Sequence, residues 1–181
     1  MTSVVAIDPG PSISAYAVLE DGWPVLIGID ENDRVMSDLQ YVALKWSEAE
    51  LAREMVACYG MPVGAEVFET CVWVGRFHES WKQKQPASAV HYVFRKDVKM
   101  NLCQNMRAKD PNIRQALIDR FGGKEKGIGN KKSPGPLYGA KRDIWSAIAV
   151  AVTHIDAENS NGRLGAESDS PRGKSKVGTG R

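Results

Sequence analysis

An α/β domain built on a mixed sheet is the fold class that the 181-residue sequence predicts. Short β-branched runs joined by tight turns open the chain, which is the pattern of an antiparallel meander. Helical periodicity then alternates with further short apolar runs, and such crossovers bring parallel strands into the same sheet. Composition agrees: with 43% hydrophobic and 25% charged residues the chain is globular and long enough to bury a core.

Residues 4–7 (Val-Val-Ala-Ile) form the first strand, stopped by the turn signal Asp8-Pro9-Gly10-Pro11. Residues 13–19 resume as a second strand, Asp21-Gly22 turns the chain, and residues 24–29 give a third. A helix follows over 36–49, where Met36, Leu39, Val42 and Trp46 recur at helical spacing. Residues 50–59 are ambiguous, with a strand placed around 55–58. From 63 to 84 the pattern is helical again, with Val67, Cys71, Val74, Phe77 and Trp81 in one stripe. Phe68, Val72 and Gly75 lie beside it, an apolar face wide enough for one inward contact and one with a partner. Residues 90–95 read as a strand, 111–121 as a basic amphipathic helix, and the Gly-, Lys- and Pro-rich stretch 122–142 as a mobile basic loop. The last helix spans 140–158. Residues 159–181 are polar, without aromatics, and read as a disordered tail after a single domain at 1–158.

The formal charge of +2 conceals a division. Residues 1–90 carry 6 Lys/Arg against 13 Asp/Glu, and residues 91–142 carry 13 against 4. An acidic half beside a basic half suits a cation-collecting centre next to a polyanion-binding surface. No apolar run reaches the ~18 residues of a membrane span, and the first residues lack the basic start of a secretory signal. Cys58, Cys71 and Cys103 are odd in number and scattered without a C-x-x-C pair, which argues against a disulfide framework or a zinc site and fits a reducing cytoplasm.

Three acids stand where acids are costly or placed with purpose. Asp8 ends a buried strand, Glu54 interrupts an apolar stretch, and Asp143 opens the last helix. Together they would make an oxygen-rich site of the kind Mg²⁺ prefers. Two of them also have an ordinary use, Asp8 as a turn residue and Asp143 as a helix cap. Glu66 and Glu69 rival Glu54, but their i, i+3 spacing is that of a solvated helix face. His154 reads as a packing residue, and Trp73, Trp81 and Trp145 as core or interface.

The segments Val5-Ala6-Ile7-Asp8-Pro9-Gly10 and Ser14-Ala15-Tyr16-Ala17-Val18 resemble the opening hairpin of RuvC-type Holliday junction resolvases. Residues 95–99 and 143–154 are similar to that family's later basic strand and closing helix. The block 53–61, with 69–77, is similar to its bacteriophage-encoded branch. The resemblance covers roughly residues 3–157.

It implies an RNase H-like fold, a mixed five-stranded sheet flanked by helices, in which carboxylates hold two Mg²⁺ ions, with Mn²⁺ able to substitute. Carried over by position, Asp8, Glu54 and Asp143 are the catalytic metal ligands. A second helix acid is expected one turn after Asp143, and Ser146 stands there instead. Lys99 and Lys109 match two family lysines near the scissile phosphate. Arg95, Lys96, Arg107, Lys124, Lys126, Lys131 and Lys132 extend the DNA-binding set. The aromatic that the family places after its strand-end acid is Ala57 here, so Tyr59 is the substitute for stacking on bases. The expected activity is resolution of four-way DNA junctions by a homodimer, without a nucleotide cofactor or membrane. Competing readings are a flap or other branched-DNA endonuclease, a non-catalytic junction-binding protein, and an actin-like nucleotide-binding lobe.

Overall fold

A computed structural model describes residues 2–58, 60 and 62–167. Strands β1 (Ser3–Asp8), β2 (Ile13–Glu20) and β3 (Trp23–Glu31) form the expected meander and lead into α1 (Asn32–Lys45). Strand β4 (Glu50–Met55), helix α2 (Ala65–Lys84) and strand β5 (Val90–Phe94) follow. After them come α3 (Arg95–Cys103), α4 (Asp110–Arg120), a π-helical turn (Lys124–Ile128), the small strands β6 (Gly129–Asn130) and β7 (Ser133–Pro134), and α5 (Ile144–Glu167). The sheet order is β3-β2-β1-β4-β5. The β1–β2 and β2–β3 pairs are antiparallel, and β1–β4 and β4–β5 are parallel. A mixed five-stranded sheet flanked by helices is what the chain forms.

Alternation along the central strands divides the core into two layers. Val4, Ala6, Ala15, Ala17 and Ala52 face α5, which is buried almost all round from Ile144 to His154. Small side chains on this sheet face let the helix approach closely, and α3 and α4 cover its other side. Val5, Ile7, Tyr16, Val18 and Leu51 face α1 and α2, where they meet Val35, Leu39, Phe77 and Trp81. Gly28 on β3 lies directly under the Tyr16 ring, which leaves no room for a Cβ.

Several boundaries differ from the sequence reading, each for a physical reason. Helix α1 starts at Asn32 rather than 36, because the buried Asn32 side chain ties the helix start to the turn after β1. Strand β4 occupies 50–55 rather than 55–58. An interior strand buried on both faces has no two-residue period to read. Residues 95–99 are helix rather than strand, since the Asp97 carboxylate accepts the Phe94 N–H and starts α3. The 122–142 stretch is not a plain loop: Leu137 is buried and its N–H donates to the Gly127 carbonyl. Helix α5 runs to Glu167, past the expected end at 158, and the rest of the expected tail, 168–181, lies outside the described residues, as does Tyr59. All three cysteines are free.

Candidate active site

Asp8 is the last residue of β1, and Glu54 lies near the end of the parallel neighbour β4. Continuing the β1–β4 register, in which Val4 pairs with Glu50 and Ile7 with Arg53, sets these two acids side by side on the α5 face. Asp143 immediately precedes α5, and its carbonyl accepts the first helical N–H, from Ala147. Arg95 begins α3 directly after β5. The site therefore gathers at the carboxyl ends of the parallel strands, where open α/β sheets place their ligands. Glu66 and Glu69 are exposed on α2, so the fold brings Glu54, and neither rival, to Asp8.

The turn after Asp8 is braced by a small network. Ser14 Oγ donates to Asn32 Oδ1 at 2.6 Å and accepts from the Gly10 N–H at 3.1 Å. Asn32 Nδ2 donates to the Gly10 carbonyl at 3.0 Å. The network pins the Asp8-Pro9-Gly10 turn from β2 and α1 at once, which positions the Asp8 carboxyl.

Burial pushes the Asp8 carboxyl well above the usual carboxylate range, with the Glu54 and Asp143 charges and the Glu54 hydrogen bond adding to it; Arg95 opposes them. Glu54 is raised too, chiefly by burial, while Arg95 and the hydrogen bond with Asp8 pull it back. Two buried carboxyls with a third acid beside them are an all-oxygen donor set. Such a set fits a hard divalent cation.

A stability consequence follows. A carboxyl raised in the folded state contributes stability below its unfolded pKa, and that contribution is lost as pH rises through the folded value. In EDTA the chain is expected to be most stable at mildly acidic pH and to lose stability as Asp8 and Glu54 ionise. Asp8→Asn should flatten that slope and raise the melting temperature at pH 8 by a few degrees, about 2–4 °C per kcal/mol of repulsion relieved. Thermal melts across pH check this; a wild-type curve as flat as that of Asp8→Asn contradicts it.

Arg95 organises the basic side. Its guanidinium lies 3.8 Å from Glu54, donates to Ser146 Oγ at 3.3 Å and pairs with Asp110. Ser146 thus lies one turn from Asp143, as its spacing requires, with Arg95 against its hydroxyl. A pocket of about 240 Å³ lined by Asp8, Glu54, Ala57 and Arg95 adjoins a cleft of about 760 Å³, and Arg95 is common to both. Arg114, Lys124, Lys141 and Arg142 also line the cleft, against Asp110 and Asp143. Arg142 holds a left-handed backbone (φ 48°) directly before Asp143, the kind of local strain that clusters at functional sites.

Among the other expected DNA contacts, Lys99 sits one helical turn beyond Arg95, on the same side of α3. Lys109 is exposed next to Asp110 at the start of α4. Lys96, Arg107, Lys126, Lys131 and Lys132 are exposed, and among the described residues none of them lines the cleft. The sequence reading missed Arg114, Lys141 and Arg142; the clustering of positive charge in 91–142 was the signal that held them. Trp81 and Trp145 are buried, with the Arg114 guanidinium 4.8 Å from the Trp145 ring centroid.

Two solved structures share this architecture. The chain is similar to Thermus thermophilus RuvC, with TM-score 0.67 and 15% identity over 88% of this chain and 97% of that one. The fold is RuvC-like. A second structure, T. thermophilus RuvC in complex with Holliday junction substrate, superposes with TM-score 0.68 and 14% identity over 89% of this chain and 97% of that one. No protein-family model matches the sequence, and no curated protein matches it. At this identity the likeness establishes the RNase H-like fold of RuvC. Among the described residues no helix is long and apolar enough to cross a membrane.

Proposed function

We propose that the chain is a metal-dependent, structure-selective DNA endonuclease that resolves four-way junctions as a homodimer. The observation that carries this reading is a cleft rich in Arg and Lys that meets, at Arg95, a buried pair of acids. The neighbour bound to Holliday junction substrate has the same fold, which supports a junction as the polyanion. Asp8, Glu54, Asp143 and Ser146 would hold two Mg²⁺ ions, with Mn²⁺ able to substitute. Such a site would supply the chemistry of activating water and stabilising the leaving oxygen.

The protein's own groups do the rest. Arg95, Lys99 and Lys109 donate to the phosphate oxygens and set the scissile bond over the acids. The cleft residues Arg114, Lys124, Lys141 and Arg142 bind flanking phosphates, and Lys96, Arg107, Lys126, Lys131 and Lys132 extend the contact along the arms. Replacing Arg114, Lys124 and Lys141 together by Ala should weaken junction binding and flatten log Kd against log salt by roughly 0.9 per lost contact. Filter-binding across a salt series reads this directly. An unchanged slope would remove the cleft from the interface.

Phe68 and Val72 project from the outer face of α2 at i, i+4 spacing, 64% and 61% exposed. Paired nicks in two equivalent strands need two sites related by a two-fold axis, and this face is the proposed contact between copies. Labelled four-way, three-way, flap and duplex DNA, incubated with the protein in Mg²⁺, test the function. The expected result is cleavage of the four-way junction in preference to the others. Preferential cutting of flaps would assign the same site to a different branched substrate.

A further inference from the structure

A second cluster stands at the opposite end of the same sheet face. Glu50 opens β4, His91 is on β5, and His154 is on α5. Glu50 and Glu54 share the α5-facing side of β4 four residues apart, about 13 Å by strand rise. His154 follows Asp143 by three helical turns, roughly 16 Å. The cluster is thus a separate place in the molecule from the carboxylate site.

Its geometry converges on one oxygen. His154 Nε2 lies 2.7 Å from Glu50 Oε2, and His91 Nε2 lies 3.5 Å from the same atom. The two imidazoles face each other with centroids 4.3 Å apart. The His154 side chain is only 5% exposed, and His91 Nε2 is buried without a hydrogen-bond partner. A plain Glu50–His154 hydrogen bond explains the shorter contact but leaves that His91 nitrogen orphaned, which is costly in a protein interior. A cation bound by all three groups satisfies every atom concerned.

We infer that Glu50, His91 and His154 form a second metal centre that takes one Zn²⁺-type ion and fastens α5 to the amino-terminal ends of β4 and β5. Two imidazoles and a carboxylate are a borderline donor set that suits zinc rather than Mg²⁺. The three ligand atoms already lie within 4.8 Å of one another. In a tetrahedral site with bonds of about 2.0–2.1 Å, ligand atoms stand roughly 3.3–3.4 Å apart. The two measured separations bracket that spacing, so small side-chain adjustments suffice. An adjoining cavity of about 400 Å³, lined by Glu50, His154, Asp21 and Glu158 among others, gives an ion a polar, acidic entry and leaves room for water as fourth ligand.

Cobalt titration of the untagged full chain tests this, with zinc used afterwards to displace the cobalt. The expected result is one equivalent that develops the intense visible bands of tetrahedral, nitrogen-ligated cobalt, bleached by zinc, while cobalt held by the oxygen ligands of the carboxylate site adds only weak bands. The chain has three histidines, so His78→Ala on α2 is the control and should keep the bands. Asp8→Asn should keep them as well, since the carboxylate site is elsewhere. Glu50→Gln and His91→Gln should each weaken binding at least ~100-fold. Glu50→Gln preserves side-chain shape and carries the test if His91→Gln fails to fold. Only weak octahedral bands, or equal affinity in Glu50→Gln and wild type, would overturn the proposal.

Discussion

Asp8→Asn, Glu54→Gln and Asp143→Asn are each expected to lower junction cleavage at least about 1000-fold, equivalent to about 4 kcal/mol of transition-state stabilisation. Each substitution keeps the shape of the side chain and removes the charge. Asp8 and Glu54 are buried beside each other, so a neutral amide at either position deletes negative charge that a divalent ion requires. Junction binding should stay close to wild type, because the phosphate contacts lie on Arg95 and the cleft beside it. It should even tighten slightly where repulsion between carboxylate and phosphate is relieved. Single-turnover cleavage and equilibrium binding on one junction separate the two effects. Normal cleavage by Glu54→Gln, with loss in Glu66→Gln or Glu69→Gln, would give the role to a different glutamate.

The second large effect belongs to α2. Val72→Asp or Phe68→Asp should shift the protein from dimer to monomer in sedimentation, weakening association at least ~100-fold, since a two-fold interface receives each new charge twice. The melting temperature should change little, because both side chains are exposed. Val74→Asp should behave differently. Val74 is 3% exposed, so a carboxylate there unfolds the chain rather than dissociating it. A Val72→Asp protein that remains dimeric would move the interface elsewhere, and the exposed Tyr41 and Leu44 on α1, packed beside α2, would be next to test.

The candidate acids stand out in the sequence because they break local rules. Asp8 ends a run that is otherwise apolar, and Glu54 sits in the centre of a sheet, so each advertised a cost that folding alone does not explain. The meander was legible from its turn residues, and α5 from an apolar period that runs for several turns. What escaped the sequence depends on tertiary contact. Arg95 reads as one more basic residue until α3 sets it between Glu54, Ser146 and Asp110. Arg114 and Lys141 are far apart in the chain and meet only across the cleft. The brace of Ser14 and Asn32 joins β2 to α1 with no motif that announces it. Glu50 and His154 are separated by 104 positions, and His154 on its own looks like a packing residue. Asp97 stands where a strand was expected to continue, and its side chain instead turns that segment into a helix.

The central claim is that this chain cuts branched DNA with the Asp8–Glu54–Asp143 site. Mapping the products of an end-labelled four-way junction at nucleotide resolution, in Mg²⁺ with Asp8→Asn alongside, tests it most directly. The account predicts paired nicks at symmetry-related positions near the crossover, absent from Asp8→Asn and from wild type in EDTA. Junction bound but left intact at every Mg²⁺ and Mn²⁺ concentration, or identical nicking by Asp8→Asn, would contradict it.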